Sequence, residues 1–566
     1  MSNADDAEQY RGRRTQDAGR RTYGANLRTN ELRQELTLKK SLPQNCDVLV
    51  IGGGIYGAWI AYDAALRGLH TVLIERDDWG SGTSSASSKL IHGGLRYLEY
   101  GDVRLVAKAL RERARLRRLA PHAVRELRFL LPHARDARVP RLPLWAGLNL
   151  YDLLAGVRPG IAPHGVLARE ELLRRAPFLR RDDLLSGWSY GDAAEDDARL
   201  VLELIDGAAL AGAVVRARCP AIRLLRTQGN VCGALVRDTI AAQDHEIRAK
   251  MVVDATGAWA GALHGDRRLP VRHTKGIHLT LPPLPNPEAM LLQSPDRRVY
   301  FLIPYYGATL VGTTDTDYRG DPDRVRIESG DVNYLLDAVA ARCPGLGWTR
   351  ADVRAGFVGL RTLRGLPGAP SAVTREWELL APEPGLLVPL GGKYTSARVE
   401  AAITVGRIAQ ALGRKDHGSP TAQRRFPWAP GGNYSSWARA AAARAQAAGC
   451  DAAVAAALIQ RHGRHVDAVL ATLHKDPHGA RRIHPQAPFC RAELAYAVQA
   501  EGAHTLLDVL RRRVPLMILV RPDANLLTDC LTVVGDAAGW NATRRAQERA
   551  AVEAAWWTPD QPALAR

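Results

Sequence analysis

Residues 46–76, CDVLVIGGGIYGAWIAYDAALRGLHTVLIER, decide the fold of this chain. An apolar strand runs into Gly52-x-Gly54-x-x-Gly57, a helix pattern follows, and a second apolar strand ends at Glu75. In such a unit the first glycine permits a tight turn, the second lets a pyrophosphate approach the backbone, and the third lets helix and strand pack closely. An acid about 20 residues after the glycines accepts hydrogen bonds from an adenosine ribose. The stretch therefore predicts a dinucleotide-binding βαβ unit.

The sequence after this unit distinguishes FAD from NAD as the dinucleotide. Residues 77–99, DDWGSGTSSASSKLIHGGLRYLE, offer hydroxyls, backbone amides and one lysine in place of a second βαβ repeat, which suits a pyrophosphate or a flavin ring. Far along the chain, residues 251–259 (MVVDATGAW) repeat the strand-and-small-turn pattern, with Ala255, Thr256 and Gly257 in the turn. Flavoproteins often return a distant strand to the cofactor in this way, so the two features together favour FAD.

Five further runs carry a family resemblance. They are TSSASSKLIHGGLRYLE (83–99), KGIHLT (275–280), VGTTDTDYRGDP (311–322), GGKYT (391–395) and FCRAELAYAVQAEGAHTLLDVLRRR (489–513). Over residues 46–556 the chain resembles the FAD-dependent glycerol-3-phosphate dehydrogenases of the respiratory, quinone-linked type. The serine-rich block with HGGLRYLE is the most specific of these motifs.

The resemblance implies an α/β fold with three parts. A Rossmann-type FAD-binding domain, of the kind found in glutathione reductase and amino-acid oxidases, is interleaved with an antiparallel-sheet substrate domain over residues 46–425. A C-terminal α-helical domain is expected over residues 433–556. Residues 1–45 are polar and rich in arginine clusters, so we predict a disordered N-terminal extension.

Local signals predict details of this organisation. Residues 298–313 are rich in β-branched and aromatic residues around Tyr306-Gly307, which predicts an antiparallel hairpin over the flavin site. Residues 427–432 (PWAPGG) mark a linker. Beyond it the chain is alanine-rich with a helical period, and Ser435 or Ser436 is the predicted first cap.

Oxidation of a phosphorylated secondary alcohol sets the requirements for the site. The carbon loses a hydride, the hydroxyl loses a proton, and cations must hold the phosphate, which the guanidinium fork matches best. The resemblance places the following residues at the substrate: Arg96, Tyr97, Arg361, Arg375 and Lys393. It also makes Arg361, Lys393 and His278 catalytic. A base with a pKa near the working pH is most often histidine, which makes His278 the candidate base, with a hydrogen-bonded structural histidine of the strand as the alternative. Lys393 either lowers the pKa of the hydroxyl or stabilises the reduced flavin.

The motifs also imply the residues that bind FAD. These are Gly52, Gly54, Gly57, Glu75, Thr83, Ser84, Ser88, Lys89, His92, Gly93, Ala255, Thr256, Gly257, Gly392, Lys393 and Thr395. The pair Asp196-Asp197 is left out of catalysis, and Asp197 is predicted to cap the helix that follows it.

The chain departs from the family pattern at three motifs. GDAAEDDARL (191–200) lacks the aromatic commonly found before the acid pair, and two further motifs differ by substitution. GLRTLRG replaces the usual GVRPL and adds Arg364 beside Arg361. GGKYTSAR replaces GGKLTTYR, which removes a tyrosine at Ala397 and adds Tyr394. Both changes alter the shape of the substrate pocket more than they affect flavin binding, so they bear on the choice of substrate.

Composition excludes several other classes of protein. A length of 566 residues exceeds one core and predicts two or three domains. Seven scattered cysteines without a CxxC argue against a disulfide framework or a zinc site, and no metal is expected. No apolar run approaches the roughly 20 residues of a spanning helix. The net charge of +18 comes from dispersed arginines without basic–aromatic runs, which suits an anionic membrane surface better than nucleic acid.

The resemblance implies oxidation of sn-glycerol 3-phosphate to dihydroxyacetone phosphate, with hydride transfer to FAD and electron transfer to a membrane quinone. It implies a cytoplasmic enzyme, homodimeric and bound peripherally to the inner face of the cytoplasmic membrane. One alternative is an oxidase of the same fold that uses O₂ on glycerol 3-phosphate or on another small hydroxy or amino acid. A second is a flavin-binding protein without turnover, which would not need Arg96, Arg361, Lys393 and His278 together.

Overall fold

The computed structural model describes residues 41–156, 161–265, 269, 271–364, 377–473 and 476–559. Most of the predicted N-terminal extension and the candidate substrate residue Arg375 lie outside the described residues. The strands within them are β1 (Asn45–Ile51), β2 (Thr71–Ile74), β3 (Leu90–Ile91), β4 (Arg125–Ala134), β5 (Gly165–Leu167), β6 (Leu184–Ala194), β7 (Val214–Arg216), β8 (Ala221–Thr227), β9 (Asn230–Asp238), β10 (Gln243–Asp254), β11 (Val271–Leu281), β12 (Ala289–Gln293), β13 (Val299–Tyr305), β14 (Ala308–Gly312), β15 (Thr316–Tyr318), β16 (Ala355–Arg364), β17 (Trp377–Glu383), β18 (Leu386–Gly391), β19 (Arg482–His484) and β20 (Ala487–Cys490).

Helices alternate with these strands and then dominate the C-terminal part. They are α1 (Ile55–Leu66), α2 (Val103–Leu119), α3 (Arg141–Ala155), α4 (Arg169–Arg175), α5 (Asp197–Leu210), α6 (Ser329–Arg342), α7 (Ala397–Ala411), α8 (Tyr434–Ala447), α9 (Ala452–His462), α10 (Val466–Thr472), α11 (Arg491–Gln499), α12 (Leu506–Asp508), α13 (Ala524–Ala538) and α14 (Ala542–Ala555). A 3₁₀ helix spans Leu95–Tyr100, and a π-helical turn, Val509–Arg513, continues α12.

The first sheet carries the nucleotide motif. Its strand order is β17-β18-β10-β1-β2-β7, with β9 paired to β10 and β8 to β9. The strands β18, β10, β1, β2 and β7 are parallel, and β17 closes one edge antiparallel. Helix α1 packs between α5 and α7. A parallel sheet under helices is the layered arrangement expected of a Rossmann-type domain.

The second sheet is mostly antiparallel, and its strands alternate along the sequence with those of the first sheet. Its order is β15-β11-β14-β13-β12-β4-β6-β3, with β16 on the other side of β11 and β5 on β6. The predicted hairpin is confirmed as β13 and β14. Tyr306 and Gly307 turn it with φ of 45° and 77°, a pair of left-handed angles that matches the twist of the two strands.

The C-terminal helices pack firmly against the sheet domains. The predicted linker at 427–432 is not a loose connection, because Trp428 is buried and hydrogen-bonds through its backbone N–H to Glu203 (2.7 Å) and through its ring N–H to Asp206 (2.8 Å). The predicted cap at Ser435 or Ser436 is wrong. Asn433 caps α8, and its side chain accepts from the backbone N–H of Ser436 at 3.0 Å, so the helix begins two residues earlier than a cap at Ser435 would place it.

The cap prediction at the start of α5 is also wrong, by one residue. Asp196 caps the helix and accepts from the Arg199 amide at 3.3 Å. Asp197 instead turns inward and pairs with Lys89 at 2.6 Å, with both side chains fully buried. Its second carboxylate oxygen accepts from the amide and hydroxyl of Ser87, so the acid joins α5 to the serine-rich block.

Candidate active site

Parallel pairing brings the two predicted nucleotide turns to one edge of the first sheet. In the register of β1 and β10, Ile51 lies opposite Asp254, and the Ala255 amide donates to the Ile51 carbonyl at 2.8 Å. The Gly52 and Thr256 turns therefore meet, although about 200 residues separate them in sequence. The carboxyl edge of a parallel sheet is where such folds bind their ligands.

Helix α1 starts at this edge with its amides directed toward the turn. Gly54 occupies the cap position, and the Ile55 amide donates to the hydroxyl of Ser84 at 2.9 Å. A β-carbon on Gly57 would lie 1.8 Å from the Gly52 carbonyl oxygen, so only glycine lets the helix approach the strand this closely. The helix N-terminus and the serine hydroxyl form a donor-rich end suited to a pyrophosphate.

Replacing Gly57 by valine is expected to abolish flavin binding. The added side chain must push α1 away from β1, because the atom it would meet is rigid backbone rather than a flexible side chain. The flavin-to-protein absorbance ratio of the purified variant checks this. A Gly147→Val variant is the control, since a β-carbon there meets nothing within 4 Å. A Gly57→Val protein with a full complement of flavin would contradict the assignment.

Glu75 ends β2 beside the glycine turn. Its carboxylate accepts from the amides of Gly53 (2.6 Å) and Asp77 (2.9 Å). Burial raises the pKa of the Glu75 carboxyl, and the two amide donors partly oppose that rise. The acid is thus held in place at the cavity wall, at the position predicted to receive ribose hydroxyls.

A cavity of about 430 Å³ runs from this turn toward the second sheet. The predicted site residues that line it are Gly52, Gly54, Glu75, Thr83, Ser84, Ser88, His92, Tyr97, Ala255, Thr256, Gly257, His278, Arg361, Gly392, Lys393 and Thr395. Gly57 lies behind the wall, while Lys89, Gly93 and Arg96 stand next to lining residues. One cavity therefore joins the nucleotide turns to the candidate catalytic side chains.

His278 lies on β11, between Gly312 of β14 and Phe357 of β16. Its ring stacks on Phe357 at 4.9 Å, and its Nε2 is 2.9 Å from the hydroxyl of Ser88. Within the described residues Nδ1 has no hydrogen-bond partner. Burial, followed by the charges of Arg361 and Lys89, lowers the pKa of His278 from 6.5 to about 3, so the imidazole is neutral at physiological pH.

The depressed pKa predicts an acid-sensitive contribution to stability. Below pH 6.5 the unfolded chain binds a proton that folded His278 refuses, so folding weakens as the pH falls toward the folded pKa of about 3. Between about pH 7.5 and about pH 5, the wild type is expected to lose about 2 kcal/mol more stability than His278→Gln. Urea unfolding at the two pH values measures this difference. Equal losses in both proteins would contradict a buried neutral imidazole.

Arg361 lies on β16 opposite Thr274 of β11 and is held in a fixed orientation. Its guanidinium pairs with Asp315 at 3.1 Å and donates to the hydroxyl of Thr313 at 2.9 Å. A β-carbon on Gly276 would lie 2.5 Å from the guanidinium, so this glycine makes room for the side chain. A half-buried, oriented guanidinium at a cavity wall suits an oxyanion with several acceptor oxygens.

Two further cations flank the ring of Tyr97. Lys393, in the turn after β18, places its ammonium nitrogen 3.6 Å from the ring centroid, and the Arg96 guanidinium lies 5.1 Å from it. Cations at these distances are attracted by the face of the ring. Tyr97 and Lys393 both line the cavity, so the end near Arg361 carries concentrated positive charge.

The turn His92-Gly93-Gly94 is held in place by side chains that the sequence motifs do not identify. Thr395 accepts from the His92 amide at 3.1 Å, which links this turn to the one that carries Lys393. The Gly93 amide donates to the hydroxyl of Tyr151 (3.0 Å) and to Asp192 (3.2 Å). Gly93 thus bonds to protein groups here, and its predicted contact with FAD stays a prediction.

The sequence analysis did not identify three residues that line the cavity or lie beside its lining. Thr313 orients Arg361, Gly276 accommodates it, and Phe357 supports the ring of His278. Thr313 and Gly276 fall inside motifs that had been singled out, but only the pairing of β11 with β14 and β16 shows what they face. No motif pointed to Phe357.

The geometry fits a dinucleotide whose reactive end lies between the two sheets. The nucleotide turns supply amides and a carboxylate at one end, and the other end brings a neutral histidine and cations together. A flavin coenzyme requires this arrangement, because its phosphates bind at a turn at one end of the site and its reactive ring lies at the other end. The fold and the cavity define an FAD-dependent oxidoreductase.

Comparison with known proteins identifies the family within this class of oxidoreductases. Residues 47–388 match the model of the FAD dependent oxidoreductase family, and residues 424–545 match the C-terminal domain of alpha-glycerophosphate oxidase. Glycerol-3-phosphate dehydrogenase 2 of Mycobacterium bovis is 36% identical over 505 residues, covering 88% of this chain and 85% of that protein. The glycerol-3-phosphate dehydrogenase of Bacillus halodurans, solved as a complex with FAD, superposes with a TM-score of 0.76 at 28% identity, covering 95% and 99% of the two chains.

A relative with a different name covers less of the chain. Alpha-glycerophosphate oxidase of Streptococcus pyogenes is 39% identical over 342 residues, which are 58% of this chain and 56% of that protein. The chain belongs to the FAD-dependent glycerol-3-phosphate dehydrogenase and oxidase family. Its cofactor is FAD, and the predicted fold, with mixed sheets and a C-terminal helical domain, is confirmed.

Proposed function

We propose that this enzyme oxidises sn-glycerol 3-phosphate to dihydroxyacetone phosphate and passes the electrons to a membrane quinone. The observation that carries the proposal is the meeting of Arg361, Lys393 and a buried neutral His278 at one end of the cavity. FAD, when bound, accepts the hydride that leaves the secondary carbon. The chain's own residues bind the phosphate, orient the alcohol and remove its proton.

Arg361 is the principal phosphate ligand in this proposal. Asp315 and Thr313 fix the guanidinium before substrate arrives, so little conformational entropy is lost on binding. Lys393 and Arg96 add positive charge around Tyr97 and attract a dianion to the same end. The departures from the family pattern at 362–364 and at 394–397 leave these three cations in place.

His278 acts as the general base through Nδ1, with Nε2–H donating to the hydroxyl of Ser88. Burial chiefly, and then the charge of Arg361, lowers its pKa to about 3, which makes it a weak base in the substrate-free state. A phosphate dianion on Arg361 neutralises that charge and favours the imidazolium. Substrate binding therefore offsets the part of the pKa depression that the Arg361 charge causes.

The quinone is the proposed acceptor because the relatives that cover most of this chain are named as dehydrogenases. Peripheral association with the inner face of the cytoplasmic membrane, and a homodimer, accompany the proposal. No helix in the described part of the chain is long and apolar enough to span a bilayer. The second candidate is the oxidase reaction, which is favoured by 39% identity over 342 residues to a protein named as an oxidase.

Product analysis tests the reaction and the acceptor together. The purified enzyme is supplied with sn-glycerol 3-phosphate and either a soluble quinone analogue without O₂ or O₂ alone. The proposal expects rapid formation of dihydroxyacetone phosphate with the quinone and little hydrogen peroxide with O₂. Rapid formation of hydrogen peroxide would favour the oxidase function over the dehydrogenase function. The absence of product under both conditions would contradict both functions.

A further inference from the structure

Three consecutive arginines end the π-helical turn Val509–Arg513 of the C-terminal helical domain. Arg512 and Arg513 are buried and both pair with Asp78, which follows the nucleotide unit in sequence, so they anchor the turn to the first sheet domain. Arg511 differs from both, because no carboxylate in the part of the chain that the structure describes forms an ion pair with it. Turns of this kind are rare and frequently occur at functional sites.

The Arg511 guanidinium lies near the aromatic ring that supports His278. Its Cζ is 5.4 Å from the centroid of the Phe357 ring, within the range of a cation–π attraction, and its Nη2 donates to the Ser85 carbonyl at 3.4 Å. Burial lowers the pKa of Arg511 to about 10, so the guanidinium keeps its charge at physiological pH. Lys89 places its ammonium nitrogen 5.0 Å from the same centroid and donates to the same carbonyl. Two cations therefore hold the ring of Phe357.

Phe357 in turn fixes the plane of the His278 imidazole. The two residues lie opposite each other in the register of β11 and β16, and their rings stack with centroids 4.9 Å apart and 10° between the planes. The contact between Nε2 and the hydroxyl of Ser88 fixes the rotation of the ring within that plane. The position of Nδ1, the atom proposed to take the proton of the alcohol, thus depends on the position of Phe357.

A second contact joins the C-terminal domain to the strand that carries His278. Thr280, two residues further along β11, is fully buried, and its hydroxyl donates to the Ile518 carbonyl at 2.6 Å. The C-terminal domain therefore contacts both the strand of the histidine and the ring that stacks on it. The geometry of the candidate base is consequently set from two domains.

We infer that Arg511 is a positioning residue, which acts through the Phe357 ring to hold His278 in the orientation that proton removal requires. The inference rests on the proposed function, in which His278 takes the proton of the substrate hydroxyl. Arg511 is not among the described residues that line the cavity, so its loss should leave the binding of substrate and of FAD unchanged. A misplacement of a catalytic group by about 1 Å can slow a reaction by up to roughly 100-fold.

Arg511→Met tests the inference, because methionine keeps much of the aliphatic stem and loses the charge. Anaerobic flavin reduction at saturating sn-glycerol 3-phosphate should slow roughly 10-fold, while the substrate concentration that gives the half-maximal rate and the flavin content stay those of the wild type. Arg511→Lys keeps a cation near the ring and should recover most of the rate. Arg544→Met is the matched control, because Arg544 lies 5.7 Å from the ring of Trp540 in the same domain, away from the cavity lining. Its reduction rate should equal that of the wild type.

Two double variants distinguish positioning from a general structural role. In a His278→Gln background, Arg511→Met should slow reduction no further, because the base that it positions is already absent. Phe357→Leu should be about as slow as Arg511→Met, and the two substitutions together should be no slower than either alone. A wild-type reduction rate in Arg511→Met, or fully additive losses in either double variant, would overturn the inference without touching the proposed reaction.

A measurement without substrate separates this inference from the proposed function. In protein labelled with ¹³C at the histidine ring carbon Cε1, the NMR signal of His278 is identified by its loss in His278→Gln. Because the imidazole stacks on Phe357, this signal should move in Arg511→Met and stay in place in Arg544→Met. An unmoved signal in Arg511→Met would overturn the inference. A wild-type flavin that the substrate leaves oxidised would contradict the proposed function, and the His278 signal would still decide whether Arg511 holds the ring.

Discussion

Replacing Arg361 by alanine is expected to raise KM for sn-glycerol 3-phosphate about 100-fold, because two charge-assisted hydrogen bonds to the phosphate contribute about 3 kcal/mol. The flavin content should stay that of the wild type, since the guanidinium bonds to Asp315, Thr313 and the backbone and lies at the catalytic end of the cavity. Steady-state kinetics with a quinone analogue, together with the flavin spectrum, check both halves of the prediction.

Two further variants sharpen this test. Arg361→Lys keeps the charge but lacks the bidentate fork, so its KM should fall between those of the wild type and the alanine variant. Arg272→Ala removes an arginine from the neighbouring strand β11 that pairs with Asp317 away from the cavity lining, and its KM should not change. An unchanged KM in Arg361→Ala would remove Arg361 from the phosphate site.

Asp197→Asn is expected to destabilise the enzyme by about 3 kcal/mol or more, because it leaves the Lys89 ammonium buried without a counter-charge. Lys89 and Asp197 are both excluded from solvent at a separation of 2.6 Å, and the substitution hardly changes the volume of the side chain. The expected loss therefore reports on charge rather than on a cavity. The midpoint of chemical denaturation, followed by tryptophan and flavin fluorescence, measures it.

The double variant Lys89→Met/Asp197→Asn should recover much of the lost stability, since the uncompensated charge is gone. Asp244→Asn serves as the comparison, because Asp244 forms an exposed pair with Arg237 that solvent screens. Little measurable change is expected there. A loss in Asp197→Asn no larger than in Asp244→Asn would show that the buried pair does not stabilise the fold.

The nucleotide unit and the hairpin were predictable because each depends on local chemistry. Three glycines at fixed spacing between two apolar runs define a turn, a close approach and a helix start, and the structure has all three around Gly54. Tyr306-Gly307 interrupts two strands with a pair that tolerates left-handed angles. In both cases the short-range pattern and the long-range packing favour the same conformation.

The caps were missed because several adjacent residues can perform the same role. Asp196 and Asp197 carry identical carboxylates, and only the backbone angles decide which one faces the first turn of α5. Asn433 competes in the same way with Ser435 and Ser436 for the start of α8. The sequence identifies a capping segment, while the position within it depends on tertiary contacts such as the burial of Asp197 against Lys89.

The candidate site was predictable as a set of residues but not as an arrangement. Motifs named His278 and Arg361, yet their surroundings come from strand register: Gly312 and Phe357 beside His278, and Thr313 beside Arg361. The low pKa of His278 follows from burial and from the charges of Arg361 and Lys89, which lie far from it in sequence. Arg375 lies outside the described residues, and its contact with substrate stays a prediction.

Anaerobic reduction of the bound flavin tests the central claim most directly. The oxidised enzyme is mixed with sn-glycerol 3-phosphate in the absence of any acceptor, and the flavin absorbance band at about 450 nm is followed. We expect rapid bleaching of the band in the wild type and slow bleaching in Arg361→Ala at the same substrate concentration. A wild-type flavin that stays oxidised at saturating sn-glycerol 3-phosphate would contradict the proposed substrate.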